Sequence, residues 1–349
     1  MPNTVRWAVV GSGGIARRRT IPEGIIPADN AELVCVYDVD RKVNVEVARE
    51  FGAEPLGSLD EVLKADIDAV YVATPAYVHH EQVLACADAG KHVLCEKPLG
   101  MTVEQAREML QAAQNAGVLL GTALMMRFHS QHQEALRLIR EGRLGTLVYA
   151  RTQLSCWYPP ITGAWRQESD KGGGGALMDM GGHCIDLLEM FLGRVSRVSC
   201  FINNTVHDYQ TEDSATAMLF FENGAMATVD TFFCIPDASS KNVLELYGSR
   251  GSIIAKGTIG QGTAERMTAY LEQDNSDYDA QQARRSDNGL VLEPEPVNTY
   301  RAEIEQFSRA ILERKTFADS AQLGLRNQIV LAACYESART ATVIPVPAA

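Results

Sequence analysis

The sequence predicts an α/β half followed by an α+β half: a doubly wound parallel sheet, then a largely antiparallel open sheet covered by helices on one face. Three observations carry this. Short apolar strands alternate with amphipathic helices through the first third. A glycine-rich turn follows the first strand directly. After about Leu124 the alternation stops, and strands arrive in succession.

In the first third, strands are expected at Arg6–Val10, Glu32–Tyr37, Ala69–Ala73, His92–Cys95 and Val118–Thr122. Near-continuous apolar runs of this length, separated by helices, suit a parallel sheet buried on both faces. Ser58-Leu-Asp-Glu61 and Thr102-Val-Glu-Gln105 fit capping boxes that start two of the helices. Right-handed crossovers then give the doubly wound order.

In the remainder, a helix around Gln131–Arg140 leads to a long strand, Thr146–Cys156. A Gly/Pro-rich loop and a helix around His183–Leu192 follow. Strands are expected at Val195–Thr205, Ser214–Glu222, Ala225–Cys234 and Val243–Gly248, with Glu222-Asn-Gly-Ala225 as a hairpin turn. Glu272–Asn288 reads as a loop or weak hairpin, and helices around Arg301–Glu313 and Ala321–Thr340 close the chain. Two domains are expected, 1–123 and 124–349. An open sheet with one bare face should not stay in water, so a homo-oligomer, dimer or tetramer, is expected on that face.

The 349 residues are 46% hydrophobic and 22% charged, an ordinary globular balance. The net charge of −12 disfavours nucleic acid and anionic membranes as partners. MPNTVRWAVVG runs straight into a strand without signal-peptide features, and no run approaches a membrane span. The eight cysteines are scattered with no C-x-x-C pair, which points to a reducing cytoplasm.

Gly11-Ser12-Gly13-Gly14-Ile15-Ala16 is G-x-G-x-x-A after a strand. Gly11 permits a tight turn, and Gly13 lets the backbone approach a pyrophosphate at a helix N-terminus. Asp38 ends the second strand, where its carboxylate can accept from a ribose hydroxyl and repel a 2′-phosphate. A Rossmann domain binding NAD is therefore expected; Arg41 nearby leaves NADP open.

Cys95-Glu96-Lys97-Pro98 ends the fourth strand, at the edge where parallel sheets bind ligands. A partly desolvated Lys97 can hold a substrate hydroxyl or relay its proton. Thr74-Pro75 and His79 follow the third strand in the same way and should border the cofactor, though His79 alone reads equally as a helix-start histidine. The densest cluster runs from Gly172 through Asp179 and His183 to Asp186. Four consecutive glycines imply close backbone approach or a flexible lid. If the stretch is helical, Asp179, His183 and Asp186 share a face, and a carboxylate beside an imidazole suits general-base work. A metal site competes, but one histidine without paired cysteines or a further ligand at a telling spacing does not assign one.

In this order the four motifs resemble the glucose-fructose oxidoreductase / inositol dehydrogenase (Gfo/Idh/MocA) family, as does Tyr335-Glu-Ser-Ala338 in the last helix. The resemblance implies hydride transfer between nicotinamide and a hydroxyl or carbonyl carbon of a sugar, cyclitol or keto-sugar. It implies that His183 is the acid/base, that Lys97 binds the reacting hydroxyl, and that Asp179 orients substrate or histidine, with Asp186 in support. It implies a cofactor wall of Gly11, Gly13, Gly14, Ile15, Asp38, Thr74, Pro75, His79, Glu96, Lys97, Arg127, Trp165 and Arg166. Tyr158-Pro-Pro-Ile-Thr-Gly-Ala-Trp165-Arg166 looks like the loop of the anhydrofructose reductase and sugar 1-dehydrogenase branch, placing Tyr158 at a cyclic sugar. That branch's anhydrofructose reductases favour NADP, from which Asp38 departs. Relatives also include glycosidases that oxidise the substrate transiently with bound NAD, and non-catalytic nicotinamide sensors; intact Lys97, Asp179 and His183 count against a sensor.

Overall fold

The computed structural model describes residues 4–261, 266–271, 289–315 and 318–348. The polar stretch 272–288, expected as a loop or weak hairpin, lies outside the described residues.

The first sheet contains β1 (Val5–Val10), β2 (Ala31–Tyr37), β3 (Glu54–Pro55), β4 (Ala69–Val72), β5 (His92–Cys95) and β6 (Leu120–Thr122). Their order is β3-β2-β1-β4-β5-β6, and every pair is parallel. The order reverses beside β1, which opens a crevice at the carboxyl ends of β1 and β4. Helices α1 (Arg41–Phe51), α2 (Leu59–Lys64), α3 (Ala76–Asp88) and α4 (Val103–Ala116) make the crossovers. Both expected capping boxes form, with a shift. Ser58 Oγ accepts the Glu61 amide, but the Glu61 carboxylate reaches back to Gly57 N rather than to the cap residue. Thr102 and Gln105 do the same, the return bond landing on Met101 N. The segment after the glycine turn, Ala16–Ile25, is wound as a π-helix and contains Pro22.

Helix α5 (Ser130–Arg140) leads into β7 (Leu147–Ser155). The short helix α6 (Ser169–Gly172) and a π turn at Leu177–Gly181 precede α7 (Gly182–Leu192). Next come β8 (Val195–Asn203), β9 (Ser214–Phe221), β10 (Met226–Phe232), β11 (Val243–Gly248), β12 (Gly251–Lys256), β13 (Arg266–Leu271) and β14 (Leu290–Val291). After α8 (Thr299–Leu312) and α9 (Ala318–Thr340), β15 (Ile344–Pro345) ends the fold. The second sheet has the order β14-β13-β12-β11-β7-β10-β9-β8-β15. It is antiparallel except where β7 pairs with β10. The turn at Asn223-Gly224 closes the β9–β10 hairpin, with Gly224 at φ +90°. Strands β12 to β15 were not anticipated from sequence; β14 and β15 have two residues each and take their place from neighbours.

Alternation along β9 buries Ala215, Ala217, Leu219 and Phe221 and turns Thr216 and Met218 outward. Helices α7 and α9 pack on the buried face, α7 against β7 and β10 and α9 against β8. On the opposite face Phe201 is 75% exposed and Met218 54% exposed. The two C-terminal helices also reach the first sheet. Trp7 of β1 is fully buried, with its ring 5.6 Å from Phe307 of α8 and its Nε1–H donating to Ser308 Oγ at 3.1 Å. No helix among the described residues is long and apolar enough to cross a membrane.

Candidate active site

A cavity of about 1090 Å³ runs from the glycine turn after β1 to the start of α7. At one end the chain is stripped to backbone. Gly11 has φ +81°, and a Cβ there would stand 2.7 Å from Thr74 N. Asp38 Oδ2 accepts the Gly13 amide at 3.0 Å, while Oδ1 accepts that of Asp40 at the same distance. Asp40 in turn caps α1. Gly14, Ile15, Tyr37, Thr74 and Pro75 complete this end with Arg18, which sequence reasoning missed. The bare turn and the acidic strand end fit a dinucleotide: a turn without side chains leaves room for its pyrophosphate at the start of the following helix, and a carboxylate stands at the end of the second strand, where a ribose hydroxyl would donate.

At the other end stand the charged residues. Lys97 Nζ lies 2.7 Å from Asp179 Oδ1 and 2.8 Å from the Asp179 carbonyl oxygen. Arg166 Nε donates to the same Oδ1 at 3.1 Å. Burial opposes ionisation of Asp179, but the two cations together hold its carboxyl well below the usual range. His183 lines the cavity four residues on, its Nδ1 buried with no hydrogen-bond partner among the described residues. Burial pushes its pKa down to about 3, Lys97 pushing the same way and Asp179 opposing. At neutral pH the site therefore contains a neutral imidazole beside a lysine–aspartate–arginine cluster. Trp165 lies under Arg166, whose Cζ is 4.2 Å from the ring centroid, and Tyr158 packs against Phe233 at 4.9 Å between centroids.

Glu96 sits behind Lys97. Its carboxyl accepts the Tyr71 hydroxyl, which itself accepts from Thr20 Oγ1 at 3.0 Å, and burial raises its pKa. Tyr300 and Glu303 of α8 also line the cavity. Glu303 is 3% exposed, and burial, with Glu96 adding, raises its pKa well above normal. Neither was anticipated, because nothing in the local pattern of α8 says that it returns to the first sheet.

Three expected residues stand outside the cavity wall. His79 is buried behind it, Nδ1 3.0 Å from the Pro98 carbonyl and Nε2 2.8 Å from that of Thr74, so it ties the Thr74-Pro75 loop to the Lys97-Pro98 loop. Arg127 turns away to Asp186, its Nε 2.7 Å from Oδ2 and 2.8 Å from Oδ1. Asp186 is thereby committed to Arg127 at 4% exposure rather than facing His183's side of the cavity. The glycine run is a place of close approach. A Cβ at Gly174 would collide with the Tyr335 hydroxyl, and one at Gly175 with the Glu212 carbonyl.

Comparison with known proteins shows the family. Residues 5–124 match the oxidoreductase family with an NAD-binding Rossmann fold, and residues 132–254 match the GFO/IDH/MocA C-terminal domain. The chain is 32% identical over 310 residues to a 1,5-anhydro-D-fructose reductase of Ensifer adhaerens, covering 88% of each. It is 28% identical over 341 residues to D-xylose 1-dehydrogenase (NADP(+)) 2 of Haloferax volcanii, covering 97% of this chain and 98% of that one. An aldose-aldose oxidoreductase from Caulobacter crescentus shares the fold at a TM-score of 0.86 and 24% identity, over 98% of this chain and 99% of that one. The chain therefore belongs to the GFO/IDH/MocA family of oxidoreductases, its residues 5–124 an NAD-binding Rossmann fold.

Proposed function

We propose that this oxidoreductase interconverts a hydroxyl and a carbonyl on a cyclic sugar or its keto derivative, using NAD in preference to NADP, with Lys97, Asp179 and His183 as the reacting set. The observation that carries this is the pairing of Lys97 with Asp179 beside a neutral His183, across the cavity from the Gly11 turn. When bound, the nicotinamide supplies or accepts the hydride. The chain's residues do the rest. Lys97 donates to the reacting oxygen and favours its developing negative charge. His183, neutral at working pH, takes the hydroxyl proton in oxidation and returns it in reduction. Asp179 keeps Lys97 aimed through its carboxylate and its carbonyl. Tyr158, Trp165 and Arg166 offer the aromatic and donor surfaces that a ring with several hydroxyls requires.

The relatives named for anhydrofructose and xylose support a sugar substrate. Asp38 supports NAD, since a 2′-phosphate would meet its carboxylate. The division into 1–123 for cofactor and 124–349 for substrate is supported by one family match ending at residue 124 and the other beginning at residue 132. The outward face bearing Phe201, Met218 and Met226 supports a homodimer or homotetramer built on it. Eight free thiols support a reducing, cytoplasmic setting.

The test is the near-ultraviolet absorbance of reduced nicotinamide with NAD or NADP and a panel of sugars, cyclitols and anhydrosugars, with Lys97→Ala and His183→Ala alongside. NAD-linked turnover lost in both variants is expected. Activity surviving both would reject the assignment. Hydrolysis without net NAD reduction would move the reading to a glycosidase.

A further inference from the structure

The π turn that carries Asp179 begins with amides that a helix cannot satisfy internally. Two residues from distant elements take four of them in a row. Glu212 accepts Gly175 N on Oε2 and Leu177 N on Oε1, each at 2.9 Å, and its own carbonyl accepts Ala176 N at 3.0 Å. Tyr335 of α9 accepts Met178 N at 3.1 Å and donates its hydroxyl proton to Glu212 Oε1 at 2.8 Å. Glu212 is 5% exposed. The glycines at 174 and 175 are what allow the two residues to come this close. The next residue in the chain is Asp179, whose carbonyl and carboxylate both hold Lys97.

We propose that Glu212 and Tyr335 are positioning residues for the reaction: they fix the start of the catalytic segment so that Asp179 meets Lys97 and His183 faces the reacting hydroxyl. The inference rests on the reading of those three residues given above. A hydrogen bond of 2.7 Å tolerates little displacement, and reacting groups displaced by about 1 Å lose on the order of a hundredfold in rate. Neither residue lines the cavity, so neither needs to touch substrate or cofactor to act.

The experiment uses Tyr335→Phe and Glu212→Gln in the full-length protein. Phenylalanine removes the acceptor for Met178 N. Glutamine keeps the shape of Glu212 but sets an NH₂ group against backbone donors. Steady-state kinetics, NAD affinity by calorimetry and hydrogen exchange across residues 175–183 are measured together. Expected in both variants are a fall in kcat of about tenfold or more, sugar KM and NAD affinity within about twofold of the parent, and faster exchange confined to 175–183. Unchanged kcat in both would overturn the inference, as would a parallel loss of kcat, KM and NAD affinity, which marks general loosening. If the parent itself turns over no sugar, the functional reading fails separately. Exchange then decides: unaltered protection at 175–183 overturns the positioning role, and a local loss supports it.

Discussion

Lys97 and Asp179 are bound twice: the ammonium that ends the run after β5 touches both the carboxylate and the main-chain carbonyl of a residue 82 positions away. The carboxylate fixes charge, and the carbonyl fixes direction, so the lysine has little freedom to point elsewhere.

Replacing Lys97 with alanine should lower kcat by on the order of a hundredfold or more, the usual scale for losing a donor to a developing oxyanion. Asp179→Asn should also cost stability, because it leaves a largely buried ammonium without its counter-charge. Breaking a buried pair typically costs about 3–5 kcal/mol, and the opening onto the cavity reduces this to about 2 kcal/mol. Urea unfolding with and without the substitution measures it.

The pH profile should report His183. A histidine held at a pKa of about 3 in the free enzyme stays neutral, and so base-competent, well below the ordinary value of 6.5. Oxidation measured as kcat/KM should therefore show no acid limb between pH 7 and 5.5. Lys97→Met removes one of the two influences that depress His183, so the residual activity of that variant should lose rate at a higher pH than the parent. An acid limb centred near 6.5 in the parent would contradict the enclosure of His183.

Cofactor choice should turn on Asp38. Asp38→Ser removes the carboxylate that would face a 2′-phosphate, and the ratio of NADP to NAD kcat/KM should rise about tenfold or more, roughly 1.4 kcal/mol in transition-state binding. Asp38 also accepts the Gly13 amide, so NAD turnover should decline at the same time. Parallel titrations with both cofactors separate the two effects.

Acid should destabilise the fold through a pair of buried histidines. His129 and His132 lie 4.7 Å apart between centroids, both buried, and each has an Nε2 without a partner among the described residues. Burial lowers both, and His132 stands at about 3. At His132 the unfolded chain takes up a proton below about pH 6.5 while the folded chain does not, so its contribution is complete above 6.5 and declines as pH falls toward 3, with His129 acting in the same direction. His132 alone should account for about 1.4 kcal/mol per pH unit in that window. Urea midpoints at pH 7.5, 6 and 5 should fall accordingly, and His132→Phe should flatten the slope by one proton.

The first sheet was legible because its signals are local: apolar runs, caps and a glycine turn lie within a few residues of what they specify. The same is true of Lys97, Asp179 and His183, whose strand-end and helical positions were visible in the motifs. What was not legible depends on distance. Arg127 could be placed near the site but not turned toward Asp186, since that choice is made by tertiary contact. The glycine run announced close approach or a lid, and only the chain 157 residues from Met178, where Tyr335 lies, decides between them. Strands β14 and β15, at two residues each, carry too few side chains to show a period.

Helix α8 reaches back across the chain to lay Phe307 on Trp7 and Tyr300 along the cavity wall. The nucleotide fold is thus roofed by a helix from the far end of the chain. A cut after residue 123 would strip that roof and leave the indole of Trp7 facing water, so the first half is not a free-standing cassette. Changing substrate preference by exchanging everything beyond residue 123 would replace part of the nucleotide fold along with it. Exchanges confined to the Tyr158–Arg166 loop and the strands around it would leave the roof in place.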